Sequence, residues 1–203
     1  MNQRDQCPPR EHLAGNPVVA DPSPRAAARG PTIVPTMTDP DGRDWLDDHL
    51  RDLGETYELF PCVPALADTA AFCDAYGFDP EDSANTIVVI GKSDPPRFAA
   101  CVTLAPYRLD VNRAVRDRLG TRKASFAPAE QTAALTGMQI GGVTVFGLPS
   151  DLPIWVDARV MTRDRIVLGG GSRSWKVIAA PSILRRLPGV EIVEGLATDP
   201  RAS

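Results

Sequence analysis

The sequence has few of the residues on which most hydrolases and metal sites depend. Its 203 residues include two histidines, His12 and His49, and four cysteines that nowhere form a CxxC or CxxxxC pair. Zinc sites are built from closely spaced cysteine and histidine ligands, so the sequence predicts no metal site. It also argues against a histidine general base, and Cys73 and Cys101 are expected to be reduced, buried thiols.

Long hydrophobic runs are also missing. No segment approaches eighteen consecutive apolar residues, and the first twenty residues carry Arg4, Asp5, Arg10 and Glu11 without an apolar stretch. These features predict neither a transmembrane helix nor a secretory signal, and we expect a cytoplasmic protein with no membrane partner.

Three common catalytic or nucleotide-binding motifs are absent. The sequence contains no GxSxG, no GxxxxGK[ST] and no GxGxxG that follows a strand. These absences leave a serine-hydrolase triad and a phosphate loop unsupported. What remains are two glycine clusters, 141–142 and 169–171. They are either ordinary turns between strands or loops whose N–H groups form a cradle for an anion or oxyanion.

Charge is unevenly distributed along the chain. The net charge is −4, but residues 1–104 hold 8 basic and 17 acidic residues, whereas residues 105–203 hold 14 and 9. A basic cluster in the second half includes Arg113, Arg116, Arg122 and Lys123. This cluster is either a solvated surface or a face that binds the phosphates of one particular anionic partner.

The first forty residues differ in composition from the rest. They hold eight of the twenty prolines and no aromatic residue, so they cannot bury enough apolar surface to offset the entropy of ordering. We predict a disordered Pro/Ala/Arg-rich extension over 1–40 and a single domain over 41–203. Met1 and Met37 both stay open as the start of translation.

The remaining sequence alternates between helical and extended patterns. Asp68 and Asp110 are predicted N-caps of helices that run to Tyr76 and Leu119. Further helices are predicted around 45–53, 128–137 and 181–187, and strands around 57–64, 86–90, 98–104, 123–126, 153–158, 165–168, 175–179 and 190–193. This order predicts an α+β (mixed α/β) fold with a curved, mostly antiparallel sheet flanked by helices.

Several short motifs follow one another in a definite order between about Ala65 and Ala197. They are SANTIVV at 83–89, LDVNR at 109–113, LGTRKAS at 119–125, LTG at 135–137, GGV at 141–143, FGL at 146–148, a strand ending at Asp157, and GGGSR at 169–173. In this order the sequence resembles the YbaK/ProX-type aminoacyl-tRNA editing domain, which is also inserted in bacterial prolyl-tRNA synthetases.

The resemblance implies a barrel-like sheet and hydrolysis in trans of the ester that joins a wrong amino acid to a tRNA. Water or a substrate side chain attacks the carbonyl, and no cofactor is needed. The residues expected to act on the ester are Asn85, Thr86, Gly141, Gly142 and Asp157. Those expected to bind the acyl group are Gly169, Gly170, Gly171, Ser172 and Arg173. Those expected to bind tRNA are Arg113, Arg116, Arg122 and Lys123.

The sequence departs from the family pattern at positions that matter for activity. Asn85 stands where the family usually has a lysine, and Val145 replaces a common proline. Lys176 is either a substitute for the missing cation or a surface lysine. Asp157 either positions water or caps a turn.

Two other functions stay open at this point. One is a non-catalytic module that binds tRNA or an aminoacyl-tRNA synthetase. The other is an esterase for small aminoacyl compounds.

Overall fold

The computed structural model of the protein describes residues 42–202. The extension over 1–40 and the alternative start at Met37 therefore lie outside the described residues. The α-helices are α1 (Arg43–Arg51), α2 (Thr69–Tyr76), α3 (Arg116–Leu119) and α4 (Ala129–Thr136). A π-helical turn (Val111–Val115) leads directly into α3, and 3₁₀ turns span Pro64–Leu66, Pro80–Asp82, Ala158–Thr162, Pro181–Arg186 and Pro200–Ala202.

Ten strands lie in the described part of the chain. They are β1 (Tyr57–Pro61), β2 (Ala84–Gly91), β3 (Arg97–Leu104), β4 (Arg108–Leu109), β5 (Ala124–Phe126), β6 (Ile154–Asp157), β7 (Ile166–Gly169), β8 (Trp175–Ala179), β9 (Val190–Val193) and β10 (Ala197–Thr198). Every strand predicted from the sequence is present, and β4 and β10 are short additions that pair with each other.

The largest sheet is mixed rather than uniformly antiparallel. Its order is β5-β2-β3-β6-β9, with antiparallel pairing up to β3 and parallel pairing from β3 through β6 to β9. A second sheet, β1-β8-β7, is antiparallel throughout. The mixed α/β class is thus confirmed. No pairing between the described residues joins β5 to β9, so the expected barrel is not confirmed.

Both faces of the large sheet are buried, which explains why β3 reads as a nearly continuous apolar run. Ala100 and Val102 pack on the side of the small sheet, whereas Ala99 and Cys101 pack on the opposite side. The second side is covered by the helical segment that ends in α3, through Val111, Val115 and Leu119. Asp110 begins this segment as predicted, because its carboxylate accepts the N–H of Arg113 at 3.1 Å.

The small sheet carries α2 on its outer side, and this contact is aromatic. Phe72 of α2 is 1% exposed and meets Phe60 of β1 edge to face, with ring centroids 5.7 Å apart. Tyr76 and Phe78 complete the cluster. As a result, β8 is covered on both sides, and the polar side chain on its outer side, Lys176, is enclosed beneath α2.

Candidate functional site

A cavity of about 300 Å³ opens beside β2, between the start of α2, β5 and the first glycine turn. Its lining residues include Asn85, Thr86, Phe126, Ile140, Gly141, Gly169 and Lys176. Three of the five residues expected to act on the ester therefore line one cavity. Gly169 is the one lining residue that comes from the predicted acyl-binding group.

The cavity lies where β2 has an unpaired edge. On the C-terminal side of the unpaired edge, Val88 accepts a backbone hydrogen bond from Ala127. On its N-terminal side, Ser83 forms an isolated bridge to Val167. Residues two apart in a strand direct their peptide groups to the same side, so Thr86 presents its backbone to the gap. The Thr86 hydroxyl is buried and has no hydrogen-bond partner among residues 42–202.

Asn85 is held in a fixed orientation at the same edge. The Thr69 hydroxyl, from the first residue of α2, donates to Asn85 Oδ1 at 2.7 Å. The carboxamide oxygen is therefore occupied, and the Asn85 N–H groups remain as donors at the cavity.

The two glycine turns touch each other. Gly171 N–H donates to Gly142 C=O at 2.8 Å, and a Cβ on Gly142 would lie 2.5 Å from the Ser172 carbonyl carbon. Gly142 N–H is itself bonded to Gln139 C=O at 2.9 Å. The expectation that Gly142 and Gly171 offer free amides is therefore wrong. Gly141, which lines the cavity, has a backbone N–H with no hydrogen-bond partner in the described chain.

Lys176 is buried in the wall of this cavity, so its interpretation as a surface lysine is wrong. It is 6% exposed, and its Nζ donates to Ala67 C=O at 2.7 Å and weakly to Gly141 C=O at 3.5 Å. The Phe72 ring centroid lies 5.3 Å from Nζ. Burial lowers the pKa of the Lys176 ammonium below that of an ordinary lysine, because desolvation disfavours the charged form.

Arg173 lies close by, but its guanidinium is engaged within the protein. It donates to Pro64 C=O at 2.9 Å and to Ile140 C=O at 3.1 Å, and it pairs with the Asp68 carboxylate at 3.3 Å. Asp68 precedes α2 without capping it through its side chain, contrary to prediction. The Arg173 pair lowers the pKa of Asp68. Gly170, Gly171, Ser172 and Arg173 do not line the cavity.

Asp157 is not part of the cavity either. Its side chain is 1% exposed and accepts from the backbone N–H groups of Arg159 at 3.0 Å and Ala197 at 2.8 Å. The Arg159 guanidinium contacts both carboxylate oxygens at 3.2 Å. Of the two interpretations of Asp157, this geometry matches the turn cap.

The predicted tRNA-binding residues lie outside the cavity lining. Arg113, Arg122 and Lys123 are exposed, whereas the Arg116 guanidinium is held by Asp117 at 2.6 Å. Lys123 immediately precedes β5, whose last residue, Phe126, lines the cavity.

Two exposed hydrophobic side chains at the cavity were not predicted from the sequence. Phe126 and Ile140 are 56% and 54% exposed, and both line the cavity. The sequence did contain a signal for the burial of Lys176, because Lys176 is the one charged residue of an otherwise apolar strand.

The family model for the aminoacyl-tRNA editing domain matches residues 63–187. The chain belongs to this family. The match covers more than half of the sequence and confirms the resemblance drawn from the short motifs. Membership of the aminoacyl-tRNA editing family supports a deacylase role in general.

Solved structures share the fold of this editing domain. A hypothetical protein, APE2540, is 21% identical, with a TM-score of 0.67 over 75% of this chain and 99% of its own. A protein proposed to be a trans-editing enzyme for prolyl-tRNA synthetase is 22% identical, with a TM-score of 0.65 over 77% of this chain and 96% of its own. At these identities the likeness establishes the fold.

Two features are absent from the part of the chain that the structure describes. No helix within residues 42–202 has the length and apolar character needed to cross a membrane. The described residues also contain no group of three or more His, Cys, Asp or Glu side chains placed to hold a metal ion.

Because the glycine turns are in contact, a side chain at Gly142 is predicted to destabilise the protein strongly. In Gly142→Ala, the new Cβ meets the Ser172 backbone, and we expect a loss of about 2–3 kcal/mol in the free energy of unfolding. Gly54→Ala is the control, because its Cβ meets nothing within 4 Å and only the positive φ is strained, at about 1 kcal/mol. Equal losses in denaturant titrations would contradict the close contact.

The position of Asp157 predicts that its substitution affects stability and not chemistry. Asp157→Ala leaves the N–H groups of Arg159 and Ala197 without their acceptor, and we expect a loss of about 2–4 kcal/mol in the free energy of unfolding. The deacylation rate per folded molecule should be unchanged. A variant that keeps its stability but loses activity would restore the water-positioning role.

Proposed function

We propose that this protein is a trans-acting deacylase that hydrolyses the ester of a mischarged tRNA. The observation that carries the proposal is the cavity beside β2, where the available donors of Gly141 and Asn85 line the same space. An ester needs such donors because negative charge develops on its carbonyl oxygen during attack.

In this proposal the acyl group enters the cavity and its carbonyl oxygen accepts from Gly141 N–H. Asn85, fixed by Thr69, donates a second hydrogen bond. Water attacks the carbonyl carbon, the ribose oxygen leaves, and the products are a free amino acid and a deacylated tRNA. A cavity of about 300 Å³ limits the size of the amino acid.

The apolar residues of the cavity lining favour a nucleotide ester over a small one. Phe126 and Ile140 expose large hydrophobic side chains there, which is costly unless a ligand covers them. Nucleobases stack on exposed aromatic rings, and the terminal adenosine of tRNA carries the ester. Exposed Arg122 and Lys123 precede β5, and with Arg113 and Arg116 they are proposed to contact the phosphates on the 5′ side of this adenosine.

The direct test is deacylation of a panel of mischarged tRNAs by the purified protein. We expect at least one pair to be hydrolysed about 100-fold or more faster than in buffer, as is typical of oxyanion-type stabilisation. The KM should rise with salt because tRNA binding releases counterions. A small aminoacyl ester serves as the comparison substrate, and equal efficiency without salt dependence would favour the small-ester esterase.

The non-catalytic alternative makes an opposite prediction in the same assay. Protein that binds tRNA but hydrolyses no member of the panel would contradict the deacylase and support a binding module. Asn85→Lys then decides whether turnover was lost with the family lysine, because the alternative expects this variant to gain activity.

Stacking on Phe126 predicts a binding defect without a folding defect. Phe126→Ala should raise the KM for the mischarged tRNA about 10-fold, since one stacked base contributes about 1–3 kcal/mol. Phe126→Trp should keep the KM near that of the parent protein. Val63→Ala is the control, because Val63 is 46% exposed but does not line the cavity. Similar KM values for Phe126→Ala and the control would contradict the stacking role.

A further inference from the structure

Lys176 is a buried cation for which the described residues provide no salt-bridge partner. Its partners are two backbone carbonyls, Ala67 and Gly141, and no carboxylate within residues 42–202 lies within 4 Å of Nζ. Asp68 acts on the ammonium from a longer distance, and its carboxylate is paired with Arg173. A buried charge without a partner is costly, so a structural role alone does not account for it.

The ammonium also keeps a donor for a ligand. It has three N–H groups, of which Ala67 C=O takes one at 2.7 Å and Gly141 C=O takes a second at the long distance of 3.5 Å. No acceptor for the third lies among the described residues, and Lys176 lines the cavity together with Gly141 and Asn85. An oxygen atom bound in the cavity is the acceptor that this arrangement lacks.

The local structure directs the ammonium to this position. Gly169 is the cross-strand neighbour of Lys176, and the turn at 142–143 packs directly on Gly169, where a Cβ would lie 2.3 Å from Val143 C=O. The Lys176 side chain therefore emerges next to the turn that carries Gly141 N–H. Positive charge enters the cavity from β8, whereas β2 contributes the neutral Asn85.

We propose that Lys176 is a catalytic residue that donates a hydrogen bond to the acyl oxygen of the bound ester. This proposal rests on the proposed deacylase function. As water adds to the acyl carbon, the carbonyl π electrons move to oxygen, and Lys176 and Gly141 N–H stabilise the resulting anion. When the carbonyl re-forms, the ribose oxygen departs and takes up a proton that the attacking water has lost. Lys176 keeps its own proton throughout.

The test is Lys176→Met, which keeps the length of the side chain and removes its charge. We expect the single-turnover deacylation rate to fall about 100-fold or more, as when a donor to an oxyanion is removed, with little change in KM. The free energy of unfolding should change little, because removal of a desolvated charge offsets the loss of hydrogen bonds to two backbone carbonyls. The matched control is Lys92→Met, the same change at an exposed lysine, which should leave the rate unaltered.

The dependence of the deacylation rate on pH distinguishes a catalytic role of Lys176 from a purely structural one. After subtraction of spontaneous hydrolysis, the rate of the parent protein should fall as pH rises through the lowered pKa of Lys176, because only the ammonium form assists. Lys176→Arg should retain part of the activity and lose this decline, because a guanidinium stays charged.

The outcomes separate this proposal from the function on which it rests. Absence of turnover by the parent protein overturns the deacylase itself. Turnover by the parent protein with Lys176→Met within threefold of it overturns the role of Lys176. If Lys176→Met does not fold, a parent profile without the decline at high pH overturns that role equally.

Discussion

Two cations on the β7–β8 hairpin hold the cavity together. Lys176 binds the carbonyls of Ala67 and Gly141, and Arg173 binds those of Pro64 and Ile140 together with the Asp68 carboxylate. Both side chains thus link the segment before α2 to the first glycine turn. Both segments line the cavity, so its shape depends on contacts made by one hairpin.

The glycine turns serve packing first and leave limited backbone for a ligand. Contact between the turns occupies the amides of Gly142 and Gly171, and it requires positions without side chains at Gly142 and Gly169. The amide of Gly141 has no partner within residues 42–202, and Gly141 lines the cavity. The arrangement that we propose therefore combines one backbone donor with the side chains of Asn85 and Lys176, in place of a cradle made from two loops.

The sequence predicted local structure well because local signals determine it. Glycines follow α2, α3 and α4 in the left-handed conformation, and the predicted strands are present. The sequence left two interpretations open for each of Asp157 and Lys176, because the choice depends on contacts between distant segments. Asp157 accepts from Ala197, forty residues away, and Lys176 is buried because α2 covers the outer side of β8. The parallel pairing of β6 with β3 and β9 could not be predicted either, because the residue pattern of a strand does not show the direction of its neighbours.

The central claim is that a buried ammonium meets the ligand in this cavity, and NMR observation of the lysine side chains tests it most directly. The chain has three lysines, and Lys92 and Lys123 are exposed. In a pH titration the Lys176 Cε resonance should move at a lower pH than that of an ordinary lysine, since burial lowers the pKa of Lys176. A non-hydrolysable amide analogue of aminoacyl-adenosine should shift Lys176 alone. A Lys176 resonance that titrates as an ordinary lysine does, or a bound analogue that leaves Lys176 unperturbed, would contradict the account.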